Sequence, residues 1–167
     1  MTRPSRFPAA VFLDRDGVIN RKAPEGEYIC CWSDFEFLPG VFEAIARLNR
    51  AGYLVFVFTN QRGIALRRMT NEAVVEIHRR MRAALEKAGA PIEAVFICPH
   101  GIEDQCECRK PKPGMLLEAR SRYGVDLTRS IVIGDRESDL EAGRAVGAAV
   151  YQVGPRTSLL DLISSFA

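Results

Sequence analysis

Four apolar runs of strand length, each stopping abruptly at a polar group, constrain this chain more than any other feature. They are Ala10–Leu13 running into Asp14, Tyr53–Phe58 into Thr59, Ala94–Ile97 into Cys98, and Ser130–Ile133 into Gly134-Asp135. Segments with helical periodicity separate them. Pro39 opens one in the favoured first-turn position, with Val41, Phe42, Ile45 and Leu48 on one face and Gly52 closing it. Thr70 caps a second, which runs to Ala88 with Val74, Ile77, Met81 and Leu85 as its stripe. A third follows Pro113-Gly114 and stops near Gly124; a fourth spans Ser138–Val146 and leads to a fifth strand, Ala148–Val153. The segment Ser158–Phe166 reads as a short amphipathic helix, and Asn20–Leu38, with Tyr28, Trp32, Phe35 and Phe37 at no clean period, as an ordered loop. Strand runs alternating with helices specify an α/β fold, a Rossmann-like doubly wound parallel sheet. In such a sheet the four polar strand ends share one edge, the edge where ligands bind.

Composition narrows the class without naming a chemistry. A chain of 167 residues, 47% hydrophobic and 26% charged, is expected to form a single domain over residues 1–167 with a substantial core. A net charge of +2 is too small to argue for nucleic acid or an acidic membrane surface. No apolar run approaches the roughly 20 residues of a membrane span. The basic start, Met1–Pro8, is not followed by a signal-peptide core, because the next apolar run meets Asp14 at once. Five cysteines, an odd number and mostly clustered, fit a reducing cytoplasm with a metal site better than a disulfide framework. No internal repeat or low-complexity segment is present.

Two carboxylates one residue apart, Asp14 and Asp16, repel unless a cation or proton is shared between them. At a strand end both can reach one small site, one as a nucleophile on phosphorus and the other, kept protonated, as a donor to the leaving oxygen. The plainer alternative is a strand followed by an Asp-Gly turn. Thr59-Asn60-Gln61 offers a hydroxyl, an amide and free backbone N–H groups, either a cradle for phosphate oxygens or a polar strand exit. Arg109-Lys110-Pro111-Lys112-Pro113-Gly114 is a stiff cationic loop, able to neutralise a transferring phosphoryl group or simply solvated. Asp135 brings another carboxylate that can complete a Mg²⁺ site with Asp14, since that ion takes one or two carboxylates plus water and phosphate. Asp139, at the start of the next helix, either complements the helix dipole or orients Lys110. Each piece is weak alone; four on successive strand ends point to a Mg²⁺-dependent phosphoryl-transfer site.

Cys98-Pro99-His100, followed after five residues by Cys106-Glu107-Cys108, is a second constellation. Three thiols and an imidazole make a complete tetrahedral Zn²⁺ set with no position left for water, hence a structural site over residues 98–108. Buried or redox-active thiols are the alternative. Cys30 and Cys31 read as loop or core residues, and His78 as a surface or half-buried helix residue.

Together, Val11–Asn20, Thr59-Asn60-Gln61, Cys106-Glu107-Cys108-Arg109-Lys110-Pro111 and Ile133-Gly134-Asp135-Arg136 resemble the motifs of the haloacid-dehalogenase-like hydrolases, in that family's order. They are most similar to its zinc-containing subgroup, the D-glycero-D-manno-heptose 1,7-bisphosphate phosphatases and the histidinol-phosphate phosphatases. The resemblance implies that Asp14 forms an aspartyl-phosphate and that Asp16 serves as general acid and then base. It implies Mg²⁺ on Asp14, Asp135 and the carbonyl of Asp16, with Thr59 and Lys110 on the phosphoryl group. Zinc would lie on Cys98, His100, Cys106 and Cys108. Asn60, Gln61, Arg62, Arg109 and Arg136, with the loop Lys22–Glu25, fall where substrate is contacted.

The subgroup lacks a cap domain, and neither interval between motifs leaves room for one. Gly63-Ile64-Ala65 and Lys110–Leu116 resemble the heptose enzymes, whereas the short zinc loop resembles the histidinol enzymes; Leu66-Arg67-Arg68-Met69 departs from the heptose pattern. The surplus arginines favour a bisphosphate, so the expected activity is removal of the 7-phosphate of the heptose bisphosphate. Histidinol phosphate is the alternative substrate. A nucleic-acid 3′-phosphatase and a non-enzymatic zinc-stabilised binding module are further alternatives. The first is disfavoured by the weak charge and the missing aromatic-basic stripe, the second by the presence of both Asp14 and Lys110. The expected partner is a small phosphorylated metabolite, with no nucleic acid and no membrane, met by a cytoplasmic monomer.

Overall fold

Residues 7–166 of a computed structural model are described; the basic start read at Met1–Pro8 lies, but for its last two residues, outside them. Five parallel strands, β1 (Ala10–Leu13), β2 (Leu54–Asn60), β3 (Ala94–Cys98), β4 (Ile131–Gly134) and β5 (Ala149–Gln152), form one sheet in the order β3-β2-β1-β4-β5. The crossovers carry α1 (Val41–Arg50), α2 (Asn71–Lys87), α3 (Gly114–Tyr123) and α4 (Glu137–Arg144), and α5 (Leu159–Ser164) follows β5. This is the doubly wound α/β fold expected from the sequence.

Period-two alternation divides the core. Val11, Leu13, Val55, Val57 and Ile133 face one side with Ile45 of α1, Ile77 and Met81 of α2, and Ile163 of α5. Phe12, Phe56, Phe58, Phe96 and Val132 face the other with Met115 and Leu116 of α3 and Ala142 of α4. Because β1 is buried on both faces and paired on both edges, no polar residue is tolerated before its end.

Several element ends shift by one or two residues from the sequence reading, and two of the shifts have a clear physical cause. Pro39 does not start α1: Gly40, left-handed at φ 79°, is its N-cap and Val41 its first residue. A side chain at Gly40 would overlap Leu160, so the helix entry is set by packing against α5. β2 extends through Thr59 and Asn60, because both pair with Ile97 and Cys98 of β3. The loop before α1 is ordered by its aromatics, with Trp32 stacked on Phe35 at 5.1 Å and Phe37 against Phe42 at 4.6 Å.

The strand order reverses at β1, since β2 and β3 are added on one side and β4 and β5 on the other. A crevice therefore opens at the carboxyl ends of β1 and β4, where Asp14 and Asp135 emerge. Asp14 N–H donates to the Ile133 carbonyl at 3.0 Å, tying the two strand ends together.

Candidate active site and metal centres

The crevice deepens into a cleft of about 1110 Å³ whose walls include Asp14, Asp16, Lys22, Gln61, Arg62, Arg109, Lys110 and Arg136. Lys110, only 5% exposed, lies at its base. Its ammonium is 2.8 Å from Asp14 Oδ1 and 2.6 Å from Asp139 Oδ1, and it donates to the Phe58 carbonyl at 3.1 Å. Burial disfavours the Lys110 charge, but the two carboxylates outweigh it and hold the amine protonated above its usual range. The same burial, resisted by Lys110, pushes Asp14 up to about 7. A buried, poorly solvated carboxylate beside a fixed cation is poised to attack an electrophile drawn in by that cation.

Asp139 both orients Lys110 and caps its own helix. Its Oδ2 accepts the Arg136 N–H at 3.0 Å while Oδ1 faces Lys110. Its approach to the β4 end requires Gly134, because any Cβ there would overlap the Asp139 carboxyl group.

Asp16 points to a different set of groups. Its Oδ1 accepts from Arg15 Nε at 3.2 Å, Arg15 Nη2 at 2.9 Å and Asn20 Nδ2 at 2.9 Å, and its Oδ2 accepts from Gln61 Nε2 at 3.0 Å. Burial alone would raise its pKa, but Arg15 and these hydrogen bonds hold it below the usual carboxylate range. The side chain is 30% exposed toward the cleft. At rest Asp16 is therefore a carboxylate, where the sequence reading has it kept protonated.

The other site residues divide between the cleft and its supports. Thr59 is buried, its Oγ1 accepting from Gln61 Nε2 at 2.9 Å. Asn60 turns its amide to the backbone of Lys110. Arg62 lines the cleft, 3.6 Å from Glu103, and its buried Nε has no partner among the described residues. Arg109 donates to the His100 carbonyl at 3.2 Å, joining the cysteine loop to the cleft wall. Lys22 lies against Asp135 Oδ2.

Sequence reasoning missed Arg15, Asn20 and the placement of His78. Arg15 is 1% exposed, and His78 is buried with Nε2 3.0 Å from Arg15 Nη1, not at the surface or half-buried. Only the polarity of position 15 inside an apolar strand exit could have flagged the first. Nothing in the period of α2 distinguishes position 78, which lies beside its apolar stripe.

Asp14, Asp135 and Asp139 bring carboxylate oxygens within 4.8 Å of one another, and buried Asp135 Oδ1 has no hydrogen-bond partner among the described residues. With both Asp139 oxygens engaged, by Lys110 and by the Arg136 N–H, the oxygens of Asp14 and Asp135 are a hard-donor pair that suits Mg²⁺. Cys98, His100, Cys106 and Cys108 form the second cluster. Cys106 Sγ is 3.6 Å from both Cys98 Sγ and Cys108 Sγ, and His100 Nδ1 is 3.2 Å from Cys108 Sγ. Tetrahedral zinc with bonds of about 2.3 Å spaces its sulfurs about 3.8 Å apart, so these four atoms fit that ion with little movement. Cys30 and Cys31 lie outside the cluster.

A family model described as HAD-hydrolase-like matches residues 107–155. The D-glycero-β-D-manno-heptose-1,7-bisphosphate 7-phosphatase of Rhodopseudomonas palustris is 45% identical over 149 residues, covering 85% of this chain and 81% of that one. That of Pseudomonas aeruginosa is 47% identical over 137 residues, covering 81% and 75%. The α-anomer enzyme of Mycobacterium tuberculosis is 41% identical, covering 83% and 73%. Among solved structures, the D,D-heptose 1,7-bisphosphate phosphatase of B. bronchiseptica, complexed with magnesium and phosphate, superposes with a TM-score of 0.82 at 36% identity, covering 95% of this chain and 87% of that one. Sequence identity at this level over most of both chains places the protein among the haloacid-dehalogenase-like hydrolases, in the family of the heptose-bisphosphate phosphatases.

Proposed function

We propose that the protein is a Mg²⁺-dependent phosphomonoester hydrolase that removes the 7-phosphate of D-glycero-D-manno-heptose 1,7-bisphosphate through an aspartyl-phosphate on Asp14. The observation that carries the reading is the buried Asp14–Lys110–Asp139 array at 2.8 and 2.6 Å, set at the topological switch point beside Asp135. Lys110 supplies a fixed positive charge for the equatorial phosphoryl oxygens and keeps one Asp14 oxygen oriented. Asp14 forms a bond to phosphorus as the ester oxygen departs, and Asp16 gives that oxygen its proton. Asp16 then takes a proton from water as the water displaces Asp14, which frees the Asp14 carboxylate; release of that proton to solvent as phosphate departs restores the resting Asp16 carboxylate. Its donors Arg15, Asn20 and Gln61 favour that resting form, so the proton of the first step is taken up when the phosphoryl anion lies beside it.

Asp14, Asp135 and the Asp16 carbonyl would hold Mg²⁺, which when bound neutralises charge on the phosphoryl oxygens. Thr59 supports the phosphoryl cradle through Gln61. Arg62, Arg109 and Arg136 on the cleft wall suit the second phosphate of a bisphosphate. Zinc on Cys98, His100, Cys106 and Cys108 holds the loop that carries Arg109. None of the helices described is long and apolar enough to cross a membrane, and we assign the enzyme to the cytoplasm as a single-domain monomer without nucleic-acid partners.

Phosphate release with Mg²⁺ tests this, comparing both anomers of the heptose bisphosphate, histidinol phosphate and a 3′-phosphorylated oligonucleotide. Preferential release from one heptose anomer, lost in Asp14→Asn with zinc content unchanged, is expected. A preference for histidinol phosphate would overturn the substrate, and no release from any ester would overturn the enzyme.

A further inference from the structure

His78 lies beside the apolar stripe of α2, at 5% exposure, yet it makes a polar contact. Its Nε2 is 3.0 Å from Nη1 of Arg15, itself 1% exposed. A guanidinium only donates, so Nε2 must present its lone pair and the ring proton must sit on Nδ1. Burial and the adjacent Arg15 charge hold the imidazole down at about 3, which agrees with a neutral ring. Nδ1 is buried and has no partner among the described residues. An unpaired buried N–H is destabilising, and an apolar residue beside Val74, Ile77 and Met81 would avoid that cost. The compensation lies on the other side of the guanidinium. Arg15 Nε and Nη2 both reach Asp16 Oδ1, at 3.2 and 2.9 Å, and the Phe35 ring is 6.0 Å from Arg15 Cζ.

We propose that His78 is a positioning residue for the acid–base step: its Nε2 lone pair fixes the guanidinium of Arg15, and Arg15 fixes the Asp16 carboxylate that faces the cleft. The chain of contact runs from α2, through the core, to a carboxylate of the site that Lys110 does not touch. It rests on the proposed role of Asp16.

The leaving group separates a positioning role from a merely structural one. A sugar alkoxide needs a proton as it departs, whereas p-nitrophenolate leaves without one. Since kcat/KM reports phosphorylation of the enzyme, His78→Leu is expected to lower kcat/KM for the heptose bisphosphate by about tenfold or more. Its kcat/KM for p-nitrophenyl phosphate stays within about twofold of the parent. His78→Gln, which returns a neutral acceptor to Arg15, restores most of the lost activity. Equal losses on both esters, no loss on either, or equal behaviour of the Leu and Gln variants would overturn the proposal. Should His78→Leu not fold, Arg15→Lys, which cannot hold Asp16 and His78 together, must show the same ester-selective loss or the proposal fails. Asp16→Asn is the control on the reading beneath it. If Asp16→Asn loses both esters equally, the role of Asp16 is wrong; if it is ester-selective and His78→Leu is not, only the role of His78 is wrong.

Discussion

Asn60 holds the backbone of Lys110 with both ends of its amide: Nδ2 donates to the Lys110 carbonyl at 3.2 Å, and Oδ1 accepts the Lys110 N–H at 3.1 Å. The pair mimics a strand ladder between β2 and a loop whose Lys110-Pro111 peptide is cis. It sets the height at which the Lys110 side chain enters the core to reach Asp14. Asn60→Asp replaces the donor with a second acceptor aimed at a carbonyl. We expect it to cost about 1–3 kcal/mol of stability and to lower kcat at least as much as Asn60→Ala does. Urea unfolding alongside phosphate-release kinetics checks this; a wild-type kcat in Asn60→Asp would show that Lys110 is positioned without Asn60.

Lys110 itself stands between two buried carboxylates, so its removal and its neutralisation should differ. Lys110→Met leaves Asp14 and Asp139 facing each other without a cation, and loss of one partner of a buried ion pair typically costs about 3–5 kcal/mol. The double variant Lys110→Met/Asp139→Asn removes one of those charges. Its unfolding free energy should recover toward the parent, while phosphate release remains absent because the phosphoryl group has lost its cation. Recovery of activity in the double variant would remove Lys110 from the chemistry.

The fold was legible because burial on both faces leaves a central parallel strand little room for polar residues, so β1 ends at its first charge and β2 within two residues of its first hydroxyl. Asp14, Asp135 and the cysteine loop could be read this way. What could not be read is which side chain each group would face. Thr59 and Asn60 present polar atoms at the end of β2, but whether they meet a ligand or the protein depends on the register with β3 and on the path of residues 109–113, which no local pattern encodes. Arg15 was hidden for a related reason: between two aspartates an arginine looks solvated, and only the packing of α2 beneath it turns the guanidinium inward. Gly134 is silent in sequence, because its need for no side chain arises from Asp139, five residues later and on another element.

The cysteine loop carries Arg109 to the cleft, and its only link to a strand through a metal ligand is Cys98 at the end of β3. A closed four-ligand site of this kind contributes folding free energy to the loop, not chemistry. Chelation of zinc, or Cys106→Ser, should therefore increase backbone hydrogen exchange over residues 99–109 while β1 and β2 keep their protection. Substrate KM should rise more than kcat falls, since Arg109 loses its anchor while Asp14, Asp16 and Lys110 stay in place. A selective loss of kcat with unchanged exchange would make the metal part of the reaction.

His78 gives a pH signature in stability that needs no substrate. Its folded pKa of about 3 lies below the ordinary 6.5, so between those values the unfolded chain binds a proton that the folded chain excludes. By linkage, stability then rises with pH across the window and falls as pH drops below about 6.5. The slope approaches one proton, about 1.4 kcal/mol per pH unit. The groups facing the ring are Arg15, which disfavours its protonation, and Asp16, which favours it. Asp16 is held below the usual carboxylate range, and it is present in parent and variant alike, so its titration cancels in the comparison. His78→Gln removes the titrating group but keeps the acceptor for Arg15. Its unfolding free energy, measured by urea between pH 6.5 and 4.5, should be flatter than the parent's by about one proton. Parallel curves would mean that the imidazole is protonated in the folded state, which would remove the lone pair that holds Arg15.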